Sequence, residues 1–483
     1  MASSDSSSQF GPVTAFIYLF NFVVGTGVLA LPSVLISGGW LLGGIFITIV
    51  AFLSYMSLTF VVESMAATNA LIFLEREPKK AQFGNTSVNA IQISQVNDVK
   101  QPLLDSSTSV ADCDIFAINE RTELSEMASR YYNRTGLVLF FSLLIVYMYG
   151  DGVIASTVIV RSLVTFIFGE DEPAWAFGLL LSIFFIFILP FCFFDFQKTK
   201  GLQMVTMVIR NASLVTIIFL AFRAALQKDQ LVKQVRLTNF GALPNLFGGA
   251  VYSFMCHQSL PGIITPIANK KNIMKLTGAV FGFIYIIYMI LFIGCLLAFG
   301  ADVRDPVTFN FPPQVYGFIG DALFLFPVFT LSSSFPMILI TLRNNLDILF
   351  QLTYGGSKSS QAEKGDLAKQ RQIILTLISV VPPVVCAFLA QHFGLSVDSL
   401  VGTSGAFAGC IVMFFIPASF VYLSRKVVKE TIENSKAPMK YYSTENAYSS
   451  PFKGTKWVVA LMGWTVVAMV FNAVEKLASA YSK

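Results

Sequence analysis

Long apolar stretches recur along the whole of this 483-residue chain, and they constrain its fold more than any other feature. A helix needs roughly 20 mostly apolar residues to cross a bilayer. Eleven stretches meet that length: 13–36, 41–68, 136–167, 175–195, 202–223, 245–268, 276–300, 317–349, 372–391, 397–424 and 455–478. Helices are expected because hydrocarbon offers an open backbone no hydrogen-bond partner. A β-barrel would show short segments of alternating hydrophobicity, and none is seen. Composition agrees: 55% of residues are hydrophobic and 13% charged, against about a quarter charged in a soluble domain. The expected class is an all-α, multi-pass membrane protein with eleven transmembrane helices.

Orientation follows from Lys and Arg, which concentrate in cytosolic loops. With the amino terminus in the cytosol, 23 of the 33 basic residues fall in inner loops, and 6 in outer loops and the carboxyl tail. The other four, Arg161, Arg210, Arg223 and Arg343, lie in or at the ends of spans. The expected organisation is a cytosolic tail (1–12), a membrane domain (13–68 and 136–478), a cytosolic loop (69–135) and an extracellular or lumenal tail (479–483). The start, MASSDSSSQFGP, has no basic n-region and no early cleavage site, so the first span is expected to double as a retained signal anchor. Six cysteines without a CxxC, and only two histidines, His257 and His392, make a resident metal centre unexpected. No cofactor and no nucleic-acid partner are expected; the lipid bilayer is.

The loop carries NTSVNAIQISQVNDVKQPLLDSSTSV, polar and poor in large apolar residues, the composition of disorder. Its end differs. Leu124, Met127, Ala128 and Tyr131 share one helical face, read either as an interfacial helix or as an extension of the third span. The sequons at Asn85 and Asn133 would face the cytosol. KQPLLDSS resembles a dileucine sorting signal.

Two spans contain their own breakers. NFVVGTGVLALP (21–32) holds Gly25 and Gly27 around Thr26, then Pro32. Each glycine lowers helix propensity by about 1 kcal/mol relative to Ala, and the proline removes a donor and clashes one turn back. Small residues also help membrane helices pack, so this segment alone leaves both readings open. The sixth span adds VYSFMCHQSLPGIITPI (251–267), with His257, Gln258 and Ser259 at mid-membrane before Pro261, Gly262 and Pro266. Such residues are costly at that depth unless they line an enclosed cavity. The two spans are five apart, as are the discontinuous helices of transporters built from two inverted five-helix repeats. Spans 1–5 and 6–10 are therefore read as repeats, with span 11 added. Unwinding exposes N–H groups that attract a carboxylate and carbonyls that hold a small cation. Glycine lets bare backbone approach the ligand. Gly25, Thr26, Gly27, Cys256, His257 and Gln258 are the candidate substrate contacts.

FNFVVGTGVLALP, FMCHQSLP and FPMILITLRNN resemble the amino acid/auxin permease family, which includes sodium-coupled neutral amino acid transporters. YMYGD (147–151), FFDFQKTK (193–200), YSFMC (252–256), FPVFTLSSSFP (326–336) and TLRNN (341–345) extend the resemblance over most of 13–478, excluding the polar loop. It implies a LeuT-like fold, five-plus-five inverted repeats with discontinuous helices 1 and 6. It also implies a sodium site. Asn21 matches an Asn four residues before the first glycine of span 1, and Ser334, with Ser333 beside it, approximates a span 8 hydroxyl just before a proline. Where relatives often show Cys-His-Pro in span 6, this chain has Cys256-His257-Gln258.

Asp151 sits midway along the third span, where an ionised carboxylate is costly unless paired or hydrated. It is either a proton-coupling site or cation ligand, or a structural partner of Arg161 or Arg210. His257 is either a titrating contact or a hydrogen-bonded packing residue. Ser332, Ser333 and Ser334 either ligate sodium or bond back to the preceding turn. Arg210 and Glu63 are read as gating or snorkelling residues, Asp195 with Lys198 and Lys200 as a local ion pair, and GTSGAFAG (402–409) as a close helix contact.

The expected function is secondary active transport of amino acids, small or neutral. The expected mechanism is sodium- or proton-driven symport by alternating access in a monomeric unit, at the plasma or endolysosomal membrane. No Walker sequence supports ATP drive. The alternative is an amino-acid-binding sensor that signals through loop 69–135 with little transport. An enzyme is not expected, since HExxH, GxSxG and paired Asp motifs are missing, nor is a channel, since no pore loop repeats.

Overall fold

In the computed structural model, the described residues are 11–25, 27–87, 113–169, 171–193, 200–227, 235–354, 366–434, 442–443 and 445–481. They are almost wholly helical. In chain order the helices are α1 (Pro12–Val23), α2 (Gly27–Ser37), α3 (Trp40–Ser87), α4 (Leu124–Tyr131), α5 (Arg134–Phe168), α6 (Ala176–Ile188), α7 (Lys200–Leu226) and α8 (Leu243–Ser253). Then come α9 (Leu260–Ile264), α10 (Ile273–Phe299), α11 (Pro313–Tyr316), α12 (Phe318–Tyr354), α13 (Asp366–His392), α14 (Val397–Ser404), α15 (Ile416–Asn434) and α16 (Thr455–Tyr481). Two π-helical turns, Gly405–Gly409 and Ile411–Phe415, join α14 to α15. A two-residue parallel ladder pairs β1 (Cys113–Asp114) with β2 (Tyr442–Ser443).

Among the described residues eight helices are long and apolar enough to cross a membrane, and nine spans result if α1 and α2, bent by 59° at their junction, are taken as one. The count of eleven is not reached on length alone. The fourth expected span is a shorter apolar helix, Ala176–Cys192. The sixth falls into α8, a 3₁₀ turn (His257–Ser259) and α9. Prolines set several starts: Pro244 and Pro261 occupy first turns of α8 and α9, where the missing N–H is no loss. The outward faces of α7 and α16 are apolar, with Val208, Val215, Phe219, Val467 and Val474 each more than half exposed. Such surfaces suit lipid rather than water.

Several contacts repeat with a shift of five spans, although the packing of α14 on α8 has no counterpart of similar extent between α7 and the first span. Second on tenth (α3 on α15) becomes seventh on fifth (α10 on α7), and third on fourth (α5 on α6) becomes eighth on ninth (α12 on α13). Eighth on fifth (α12 on α7) corresponds to third on tenth (α5 on α14). The pairs α2 with α8, α3 with α10 and α5 with α12 map onto themselves. No residue-level repeat announces this, because a contact needs complementary surfaces and not identical ones. α16 packs on α15, α8 and the neighbouring π turns and has no shifted counterpart.

Part of the polar loop is built into the fold. The boundary drawn at residue 68 lies inside α3, which continues to Ser87 with Ala70, Leu71, Ile72 and Leu74 buried. These residues meet the segment 115–131, whose Ile115, Phe116, Ile118, Leu124, Met127, Ala128 and Tyr131 are buried too. Asn69 reads the loop backbone: its Oδ1 accepts from Asn119 N (3.1 Å) and Glu120 N (2.9 Å), and its Nδ2 donates to Glu120 O (3.2 Å). α4 is a separate helix and not the start of α5, since Asn133 caps α5 by accepting from Gly136 N at 2.9 Å. Residues 88–112, which carry most of the expected disorder and the dileucine-like stretch, lie outside the described residues, as do Asp195 and Lys198.

At the same end of the molecule, Glu63 of α3 is buried and takes a bidentate ion pair from Arg425 of α15, at 2.7 and 2.8 Å, plus Ser450 N at 2.8 Å. Glu63 is thus an anchor between α3 and α15 rather than a snorkelling residue. A cavity of about 300 Å³ opens beside it, lined in part by Ala67, Phe116, Val428 and Asn446.

Candidate functional site

The first break falls where sequence placed it. Helix α1 ends at Val23, and Val24 leaves helical geometry at ψ 82°. Thr26, read as a substrate contact, lies outside the described residues. The two glycines differ in their surroundings. Among the described residues, a methyl group added to Gly25 would meet only Val23 O, at 3.9 Å, so the position borders open space there. One added to Gly27 would lie 2.7 Å from Ser253 Cα. Gly27 therefore permits the crossing of α2 over α8, a contact only a residue without Cβ allows.

The carbonyls released by the break are taken by side chains. Arg210 of α7 donates through Nη1 to Val24 O (3.0 Å) and Asn21 O (3.3 Å). Its neighbour Asn211 donates to Asn21 Oδ1 and to Met207 O (3.0 Å). Asn21 is buried, and its own Nδ2 donates to Ile17 O at 2.7 Å. The guanidinium thus caps the negative end of the α1 dipole. Asn211, and the role of Arg210 at the break, were not read from sequence. A mid-span charge was visible, but nothing local names the carbonyls it serves.

The second break follows Ser253. Ser253 Oγ donates to Gly249 O (2.8 Å) and reaches Gly27 O (3.2 Å), stitching the sixth span to the first. Tyr288 of α10 donates to Ser253 O at 3.0 Å, capping the end of α8. Cys256 and His257 are buried. His257 Nε2 lies 3.3 Å from Ser54 O. A carbonyl only accepts, so Nε2 carries the proton and Nδ1 is left as an acceptor. Among the described residues, four buried polar atoms around the breaks lack a partner: His257 Nδ1, Gln258 Oε1, Asn211 Oδ1 and Ser404 Oγ. Unsatisfied groups at such depth are costly, and a bound polar ligand would relieve them.

Asp151 is joined to this region by Tyr252, which donates to its Oδ1. Tyr252 and Ser253 are consecutive, so 100° of helical rotation sends one toward α5 and the other toward α2. Neither arginine proposed as a partner serves Asp151. Arg161 donates instead to Gln391 Oε1 (2.9 Å) and Leu395 O (2.7 Å). Flanking glycines let α5 come close to its neighbours: methyls at Gly150 and Gly152 would lie 2.7 Å from Ser404 Oγ and 3.2 Å from Pro383. Ser333 and Ser334 are not brought to the first break by any hydrogen bond among the described residues. Both donate back to Thr330 O, at 2.8 and 3.1 Å. The glycines of 402–409 form the expected close contact: methyls at Gly248 and Gly405 would each fall within 2 Å of the facing backbone carbonyl.

The profile described as "Transmembrane amino acid transporter protein" matches residues 8–444. The chain belongs to this transporter family. It is similar to Transmembrane protein 104 of Mus musculus (32% identical, covering 97% of each chain) and of Gallus gallus (33%, 97% of each). The Dictyostelium discoideum homologue is 30% identical over 96% of each. Among solved structures, the manganese transporter of Eremococcus coleocola bound to an aromatic bis-isothiourea compound aligns over 98% of this chain and all of its own. That alignment has 13% identity and a TM-score of 0.44. The family places the two breaks within a membrane transporter and leaves open what passes between them.

Proposed function

We propose that the chain is a secondary active transporter of amino acids, small or neutral, coupled to sodium or protons and working by alternating access. The observation that carries this reading is the joining of two helix breaks through Ser253 and Gly27 beside an open position at Gly25. Bare backbone at Gly25, with His257 Nδ1 and Gln258 Oε1 as unpartnered acceptors among the described residues, supplies groups for both ends of a zwitterion. Gly27 and Cys256 are the remaining candidate contacts, Gly27 through the packing it permits against α8. Asp151, held by a tyrosine rather than a cation, is the proton-coupling candidate. Asn21, Ser333 and Ser334 are the candidates should sodium be the coupling ion.

The test is a panel of amino acids in proteoliposomes, with sodium and proton gradients imposed separately. Saturable uptake driven by either gradient supports the reading, and no uptake of any amino acid overturns it. Asp151→Asn is expected to flatten the pH dependence of uptake, and an unchanged profile removes Asp151 from coupling. A sensor remains the second reading because the loop touches the sixth span: a methyl on Gly262 of α9 would lie 3.2 Å from Arg121 Nη2. A sensor would bind an amino acid in the same preparation yet carry no flux.

A further inference from the structure

We infer that Arg210 is a built-in cation standing at the first-span break in place of a bound sodium ion. The inference bears on the coupling ion of the transport site proposed above. Half-helix carbonyl ends at such breaks are where transporters hold a small cation. Here Val24 O and Asn21 O both accept from Arg210 Nη1, and Asn21 Oδ1 accepts from Asn211. Both oxygens of Asn21, the residue whose position suggests sodium, are thus already engaged by N–H donors. A sodium ion at these oxygens would have to displace two nitrogen donors and sit against a guanidinium.

The charge balance points the same way. Among the described residues no carboxylate pairs with Arg210. The guanidinium is held by carbonyls and by the negative end of α1, the environment of a bound metal cation and not of an ion pair. Arginine keeps its proton under all physiological conditions, so this cation is permanent and carries no proton of its own. Coupling at the site then falls to another group, and the first-span break requires no sodium.

The experiment uses purified full-length protein in detergent, with thermal unfolding followed in sodium and in choline at equal ionic strength. Wild-type unfolding is expected to ignore the exchange. Arg210→Ala is expected to unfold several degrees lower, and to regain part of that loss on addition of sodium or of millimolar guanidinium, which refill the carbonyl site. Stabilisation of wild type by sodium, or an Arg210→Ala variant indifferent to both cations, overturns the inference. If the alanine variant does not fold, Arg210→Lys decides: it keeps a charge at the site and is expected to ignore sodium, and a sodium response there overturns the inference. Uptake by wild-type proteoliposomes separates the two readings. No amino acid uptake removes the transporter reading, while the unfolding comparison still judges Arg210. Uptake that collapses in choline removes the Arg210 inference alone.

Discussion

Gly25 and Gly27 stand two residues apart, and sequence gave no reason to treat them differently. Both interrupt a helix and both suit backbone contact with a ligand. The structure divides the roles, because only Gly27 has the α8 backbone against it. Gly25→Leu is expected to leave thermal unfolding near wild type and abolish substrate binding. Gly27→Ala is expected to cost about 1–3 kcal/mol through overpacking, read as a lower unfolding temperature. Equal stability of the two variants would remove the distinction. The breaks were legible because Gly and Pro change backbone energetics locally. Arg210, Tyr252 and Tyr288 were not, since each acts on a residue far away in the chain. Asp151 shows the same limit: its cost in the membrane was evident, but its tyrosine partner lies 101 residues away.

Between elements, two junctions make separate predictions. At one end of the molecule, Asp305 accepts the N–H of Asp398 at 2.5 Å, holding the connection after α10 to the first turn of α14. Its other oxygen is buried and has no partner among the described residues. Burial, with the Asp398 charge beside it, pushes the Asp305 carboxyl up to about 7, although the Asp398 N–H and Arg161 act against the rise. Glu172 shares the field of Arg161. A carboxyl in an unfolded chain titrates near ~3.9, so the folded state holds the Asp305 proton more tightly. The stability it contributes is fully present below about 4 and is lost as pH rises through about 7. Unfolding temperature is therefore expected to fall between pH 4 and pH 7 (roughly the window set by those two values), and Asp305→Asn to flatten the fall. A variant with an unaltered profile would show that other groups set it. At the opposite junction, Glu63→Gln leaves the Arg425 charge without its carboxylate and is expected to cost about 3 kcal/mol. Replacing both by Met is expected to be milder than the single change, as measured by unfolding of the three proteins. The apolar face at 402–409 was readable as a packing surface from its small residues; its partner Gly248 was hidden in an ordinary-looking span.

At the scale of the molecule, the shift-of-five pattern predicts that equivalent contacts have opposite effects on which face is open. Gly294 of α10 lies against Phe222 and Ala221 of α7, where an added methyl would come within 3.1 and 3.5 Å. The corresponding second-on-tenth contact includes Ser57 donating to Met413 O. Gly294→Ala and Ser57→Ala are expected to change the labelling of a reporter cysteine in opposite senses, with the double variant between them. Shifts in the same sense would refute the equivalence. Apolar run lengths made the class of fold legible, while the fourth and sixth passes fell short of the run-length rule because one is brief and one is divided. Parts without a twin include α16, the assembly of Asn69, Glu63 and residues 113–131 with 445–453, and the close packing of α14 on α8. A mechanism whose halves were interchangeable would have no intrinsic direction, so any resting bias in this protein comes from where its halves differ, those unmatched parts included.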